Sequence, residues 1–427
     1  MSILATRLLF FVLEQTGTAA FVIGGATVHS VLRLPINRPM APLRGQALRR
    51  LQQSLRDTKV IVVDEVSMMG RRMWCQMNQR LQQASGNSSV PFGGYCVVFI
   101  GDYNQLPPVG DKPIYVTSDI EDQSGYHLFN AINDVIILEE SQRQAGTDEI
   151  QIRFKRLLQH CEEGTVDVED WNLLRTRFIG TASDSTDLQW DEAPHLSFDN
   201  KSVQEFNMEK LQSLQKPIAR LNAEHNCAAA RRSDSQDANG LHATLFLCEG
   251  ADVMLTSNLW TAAGLHNGAK GKVVDFVYTT PEGPRSGSLP ESVVVHFPHL
   301  QDNVDAFLPG LPKTVSIPTT QAEWSDTAGK VLTRRQFPLM LSWAFTIHKS
   351  QGKTLDRAVI DLGNSERCSG MTLVALSRVR RLSDLLLKPF TCERLQKVNG
   401  SSGLSELRQA MDQLRQKNKQ DDTELVE

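Results

Sequence analysis

Two short apolar runs, Val60–Val63 and Val97–Ile100, each break off at acidic residues: Asp64-Glu65 after the first, Gly101-Asp102 after the second. Apolar runs of this length without polar alternation predict parallel strands buried on both faces. Ligands of open α/β sheets collect at the carboxyl ends of the strands, so these acids stand where a nucleotide would bind. Between them, Met73, Met77 and Leu81 recur at helical spacing and predict a connecting helix over 71–84. The stretch up to Leu13, apolar behind Arg7 and closed by Thr16-Gly17, reads as a further buried strand, with a secretory signal as the alternative.

A second α/β pattern starts at Val135–Leu138, continues through a helix around 152–159, and gives way to a polar surface loop over 181–192. From 245 to 331 the texture changes to short strand-like pieces, among them 272–278 and 292–297, separated by Gly and Pro turns. The α/β pattern returns at Arg357–Asp361 and closes near Pro389. Beyond it, Leu404, Leu407, Met411 and Leu414 mark a weak stripe on a charged, solvated terminal helix.

Composition changes this picture little. The 427 residues suffice for two or three cores, and no stretch reaches the ~20 apolar residues of a membrane span. A formal charge of -4 excludes a globally basic nucleic-acid binder, so any nucleic-acid contact must be a local groove. Seven cysteines without a C-x-x-C pair argue against structural zinc and for a reducing compartment: the nucleus first, with cytoplasm and mitochondrion as alternatives.

The chemistry sits in ordered blocks. Asp64-Glu65 is followed by Gly101-Asp102-Tyr103-Asn104-Gln105-Leu106-Pro107-Pro108, then Leu138-Glu139-Glu140-Ser141-Gln142-Arg143-Gln144. Later come Trp343-Ala344-Phe345-Thr346-Ile347-His348-Lys349-Ser350-Gln351-Gly352-Lys353-Thr354-Leu355 and Leu373-Val374-Ala375-Leu376-Ser377-Arg378-Val379-Arg380. Phosphoryl transfer needs a carboxylate to hold magnesium, a neighbour to orient water, and guanidiniums to meet the spreading charge; such arginines bring roughly 10³ to 10⁵ in rate. Together, and in this order from residue 9 to residue 390, the blocks resemble the motifs of superfamily 1 DNA helicases of the PIF and RecD type.

The resemblance implies an α/β fold of two RecA-like parallel-sheet domains, the first incomplete, with a small β-barrel inserted in the second. The implied boundaries are 1–135, then 136–245 with 341–395, the insertion at 246–340 and a tail at 396–427. It further implies a 5′-to-3′ ATP-dependent helicase of DNA repair, recombination or telomere maintenance, acting on single-stranded and forked DNA without a membrane. ATP is then the substrate and Mg2+ the cofactor. Asp64 holds magnesium, Glu65 orients water, and Gln105 senses the γ-phosphate. Arg143 reaches the nucleotide from the second domain, Arg378 is the main arginine finger, and Gln351 and Gly352 approach the nucleotide. Thr16, Thr27 and His29 contact DNA from the first domain, and Thr346, His348 and Lys349 from the second.

One block of the pattern does not occur. The family carries G-x-x-x-x-G-K-[ST], whose amides cradle phosphates and whose lysine and hydroxyl reach them and the magnesium. Gly352-Lys353-Thr354 does not supply it, because the required first glycine falls at Ile347. The expectation is a truncated copy or incomplete gene product, one that hydrolyses almost no ATP by itself. By resemblance the loop's strand lies beside the strand ending at Asp64, and its loss exposes edges and apolar faces. A catalytically dead single-strand binder and a piece of a transposon-encoded helicase are the alternatives.

Overall fold

The computed structural model describes residues 10–14, 26–35, 40–116, 124–132, 134–138, 140–235, 237–278, 289–301, 304–325, 330–400 and 403–424. Its first lobe is built on four parallel strands, β1 (Phe10–Glu14), β2 (Ala26–Thr27), β3 (Val60–Val63) and β4 (Cys96–Phe99), in the order β2-β1-β3-β4. The Arg71–Ser85 helix joins β3 to β4, and Gly86 ends it in the left-handed conformation with its N–H on the Gln82 carbonyl. Trp74, on the buried stripe of that helix, stacks on Phe99 at 4.1 Å between ring centroids. This pins helix to sheet.

The second lobe repeats the plan with β5 (His195–Ser197), β16 (Ala344–Thr346), β17 (Ala358–Asp361) and β18 (Leu385–Leu387), parallel in the order β16-β5-β17-β18. Its core takes Phe154 and Leu157 from the Glu149–Glu163 helix and the wholly buried Met371–Leu376 helix. Between β5 and β16 the chain leaves the parallel sheet. Here β6 (Ala219–Asn222) pairs with β8 (Thr244–Leu247), and β7 (Glu224–His225) with β14 (Val331–Gln336), which also pairs with β13 (Thr320–Ser325). A five-stranded antiparallel sheet follows the order β12 (Thr314–Pro318), β11 (Ser292–His296), β10 (Lys270–Val277), β9 (Asp252–Leu255), β15 (Leu339–Leu341). The β-rich insertion is therefore present with its strands close to where alternation places them. Among the described pairings β12 and β15 remain its outer strands.

Three expectations need correction. The strand ending at Asp64 has neighbours on both sides, β1 and β4, so it presents no open edge. The described sheet ends in β2 on one side and β4 on the other; Val97 and Phe99 of β4 pack on the core while Val98 and the following Ile100 are 42% and 47% exposed. Val135–Leu138 is not assigned as a strand, and its Ile136 and Leu138 are 86% and 88% exposed. The terminal helix, Leu404–Glu424, is not simply solvated. Its Leu407 and Ala410 are buried in the first lobe's core, with Met411 and Leu414 packed against it.

Leu407→Asp tests that packing. Burying an unpaired carboxylate is expected to cost at least about 3 kcal/mol and to lower the first thermal transition in a circular-dichroism melt. An unchanged melt would mean that the helix leaves the lobe in solution.

Candidate nucleotide site and nucleic-acid interface

The carboxylates of the first lobe sit on two laced loops. Ile100 donates to the Val63 carbonyl at 2.8 Å, and Val66 to the Ile100 carbonyl at 3.0 Å. Glu65 takes φ 52, ψ 45, a left-handed conformation that non-glycine residues rarely adopt, and its N–H donates to Asp64 Oδ1 at 2.8 Å. Such a backbone costs of order 1 kcal/mol and recurs at functional sites. The turn aims the Glu65 carboxylate across the lobe boundary. There Gln351 Nε2 donates to Glu65 Oε2 at 3.3 Å and to Ser67 Oγ at 3.2 Å. A β-carbon on Gly352, which has φ +74, would lie 3.1 Å from Glu65 Oε1, so glycine lets the second lobe close on the acid.

Burial, and then the neighbouring Asp64, raise the Glu65 carboxyl above the usual range; the Gln351 bond and Arg378 pull the other way. Both guanidiniums act on Glu65 from the second lobe. Arg143 donates through Nε to Thr354 Oγ1 at 2.9 Å and through Nη1 to the Ser377 carbonyl at 3.0 Å. Arg378 is 1% exposed and each of its three side-chain nitrogens donates. Its Nε donates to the Val374 carbonyl, Nη1 to the Ser350 and Lys353 carbonyls, and Nη2 to Ser377 Oγ. Burial first, and then Arg143, push it down to about 10, which still leaves it charged at neutral pH.

Gln105 lies on the loop after β4, its Nε2 3.5 Å from Asp102 Oδ2. That loop crosses into the second lobe: Leu106 is buried in the core there, and a β-carbon on Gly370 would meet the Asn104 carbonyl at 2.4 Å. The Gln105 and Gln351 Oε1 atoms are buried with no hydrogen-bond partner, two acceptors left for a donor such as a water. Asp64 Oδ2 accepts no hydrogen bond among the described residues. Hard carboxylate oxygens of this kind fit magnesium, which takes one or two protein carboxylates beside phosphates and waters.

The expected DNA contacts fall on both lobes. Thr27 caps the short Val28–Leu32 helix, its Oγ1 accepting from Ser30 N at 3.3 Å, and burial keeps the half-buried His29 imidazole neutral. Thr346 ends β16, and His348 and Lys349 follow on the Ile347–Ser350 helix. Burial depresses the His348 imidazole as well, and Lys349 Nζ lies 3.2 Å from Met340 Sδ. Thr16 lies outside the described residues. The structure thus brings Asp64, Glu65, Gln351, Gly352, Arg143 and Arg378 to one cleft. Among the described residues no hydrogen bond joins Thr27 or His29 to the second-lobe trio. Sequence reasoning missed Ser67, Thr354 and Gly370, small or hydroxyl residues whose role appears only once the lobes are apposed.

A PIF1-like helicase family model matches residues 3–172. The ATP-dependent DNA helicase PIF1 of Homo sapiens is 32% identical over 383 residues, covering 88% of this chain and 53% of that protein. Among solved structures, Pif1 helicase from Candida albicans aligns with a TM-score of 0.68 at 24% identity over 95% of this chain and 88% of that one. Pif1 from Bacteroides, in complex with ADP-AlF3 and ssDNA, gives 0.68 at 23% over 95% and 87%. The chain spans about half the length of the curated relatives it matches. By this family match and these relatives, the chain belongs to the PIF1-like helicase family.

Proposed function

We propose that this chain carries the working face of an ATP-dependent DNA helicase, moving 5′ to 3′ on single-stranded DNA and opening forked duplexes. The observation that carries the reading is the meeting of Glu65 with Gln351, Arg143 and Arg378 across the lobe boundary. In this reading Asp64 holds Mg2+ with ATP, which supplies charge neutralisation at the phosphates, and Glu65 orients the attacking water. Gln105 answers to the γ-phosphate and passes its state to the second lobe through Leu106. Thr16, Thr27, His29, Thr346, His348 and Lys349 hold the DNA backbone without reading sequence. The nucleus is the compartment that suits this work.

A second reading is a single-strand binder without turnover. One observation favours it: residues 1–427 contain no G-x-x-x-x-G-K-[ST] loop. Measuring oligo-dT affinity and DNA-stimulated ATP hydrolysis on one preparation, beside Glu65→Gln, separates the two. DNA binding with turnover that Glu65→Gln lowers by at least about 10²-fold supports the motor. Binding without turnover establishes the second reading, and absence of DNA binding at low salt overturns both.

A further inference from the structure

Three ammonium groups gather where the β-rich insertion meets the second lobe. Lys270 begins β10, and the sheet register sets it beside Met254 of β9, which is itself opposite Met340 of β15. Lys349, from the Ile347–Ser350 helix, reaches back to that row and rests its Nζ on the Met340 sulfur. Lys353, just past the same helix, lies with its Nζ 5.3 Å from the centroid of the Phe345 ring; the Nζ of Lys270 is 5.5 Å from the same centroid. One ring and one strand row therefore hold three cations from two structural units.

Two acids act on them from a distance, Asp252 on Lys270 and Asp234 on Lys349, and neither makes an ion pair with them among the described residues. Asp252, the acid closest in register, is engaged by Lys272 at 3.3 Å. Among the described residues none of the three forms an ion pair, and Lys349 leans on a thioether, which carries no charge. Burial, then Lys270 and Lys349, bring the Lys353 amine down to about 8. Like charges crowded in this way repel one another, and an anion placed among them reverses the sign of the interaction.

We propose that Lys270, Lys349 and Lys353 form a phosphate clamp for the backbone of single-stranded DNA, built jointly by the insertion and the second lobe. It rests on the DNA-binding reading above and adds Lys270 and Lys353 to it. Phe345 is fully buried, so its ring positions the ammoniums and offers no face for a base to stack on; the clamp grips backbone and ignores sequence. It continues directly from Thr346 and His348, which gives the strand a track from the parallel sheet onto the insertion. The insertion thus becomes part of the DNA grip rather than a passenger on the lobe.

The test is fluorescence anisotropy of a labelled dT oligonucleotide across a salt series, on the full chain and on Lys270→Gln, Lys353→Gln and the exposed, ion-paired control Lys201→Gln. Each of the first two variants is expected to weaken binding by about 3- to 10-fold near 0.1 M salt and to flatten the log–log salt slope by about 0.7, the share of one phosphate contact on a single strand. The control should leave both quantities unchanged. Lys270 is exposed, so Lys270→Gln decides the matter even should Lys353→Gln fail to fold. If the parent binds DNA and Lys270→Gln matches it in affinity and slope, the clamp is overturned while the DNA-binding reading stands. If the control falls as far as the variants, the effect is general charge and the clamp is again overturned. If the parent binds no DNA, the functional reading itself fails.

Discussion

Arg378→Met lowers the melting temperature of the second lobe by roughly 10 °C in scanning calorimetry, whereas Arg143→Ala moves it by about 2 °C or less; this is the expected result. The difference follows from what each guanidinium holds. Arg378 is buried and spends its donors on the carbonyls of Val374, Ser350 and Lys353 and on Ser377 Oγ, tying the segment after β16 to the Met371–Leu376 helix. Methionine removes four buried hydrogen bonds and leaves the Lys353 carbonyl without a donor among the described residues, at about 3 to 5 kcal/mol in all. Arg143 is half-buried, and among the described residues its Nη2 makes no hydrogen bond. Arg143 is thus the one with a donor to spare for a phosphate. Arg143→Ala should therefore reduce nucleotide-dependent behaviour at nearly constant stability. Equal melting shifts for the two variants would contradict this division of labour.

The second large effect lies in the insertion. Arg334 is fully buried in β14, and its Nη1 and Nη2 donate to the carbonyls of Leu241, Ala230 and Ser233, each at 2.7 Å. Its guanidinium also stands 5.7 Å from the Trp324 ring, within a small core of Ala230, Ala238, Leu241, Ala322 and Leu332. Arg334→Met is expected to cost about 3 to 5 kcal/mol, because three carbonyls lose their donors inside that core. Hydrogen exchange should report it as lost protection over 225–241 and 320–336. Arg334→Lys should not restore it, since one ammonium cannot match a planar fork set for three acceptors. Unchanged protection in Arg334→Met would show that water replaces the side chain without penalty.

Much of the candidate site's placement was legible because its residues follow the strand ends. Asp64, Glu65, Gln105, Arg143, Gln351 and Arg378 sit in short ordered blocks, and alternation or its absence marked β3, β4, β10, β11 and β17 nearly to the residue. What escaped reading depends on surfaces that meet only after folding. Val135–Leu138 has the composition of a strand and yet exposes Ile136 and Leu138, since local propensity does not decide burial. Leu106 looks like part of a loop, yet it fills the other lobe's core. The left-handed turn at Glu65 is invisible in sequence because no glycine announces it. The terminal stripe is weak over its charged helix, yet four apolar residues are enough once a lobe stands ready to receive them.

That terminal helix has a mechanical consequence. It is sunk into the first lobe through Leu407 and Ala410, and Lys417 donates to the carbonyls of Asn130 and Ile132. On the same turns as Leu407 and Ala410, Arg408 holds the carbonyls of Glu163 and Gly164, where a second-lobe helix finishes, and Asn399 exchanges two 2.9 Å bonds with Val166 just ahead of it. The helix works as a rigid spar bolted to two plates. Any swing that parts Glu65 from Gln351 has to shear one set of bolts or pivot about it, so the spar sets the arc along which the jaws can open.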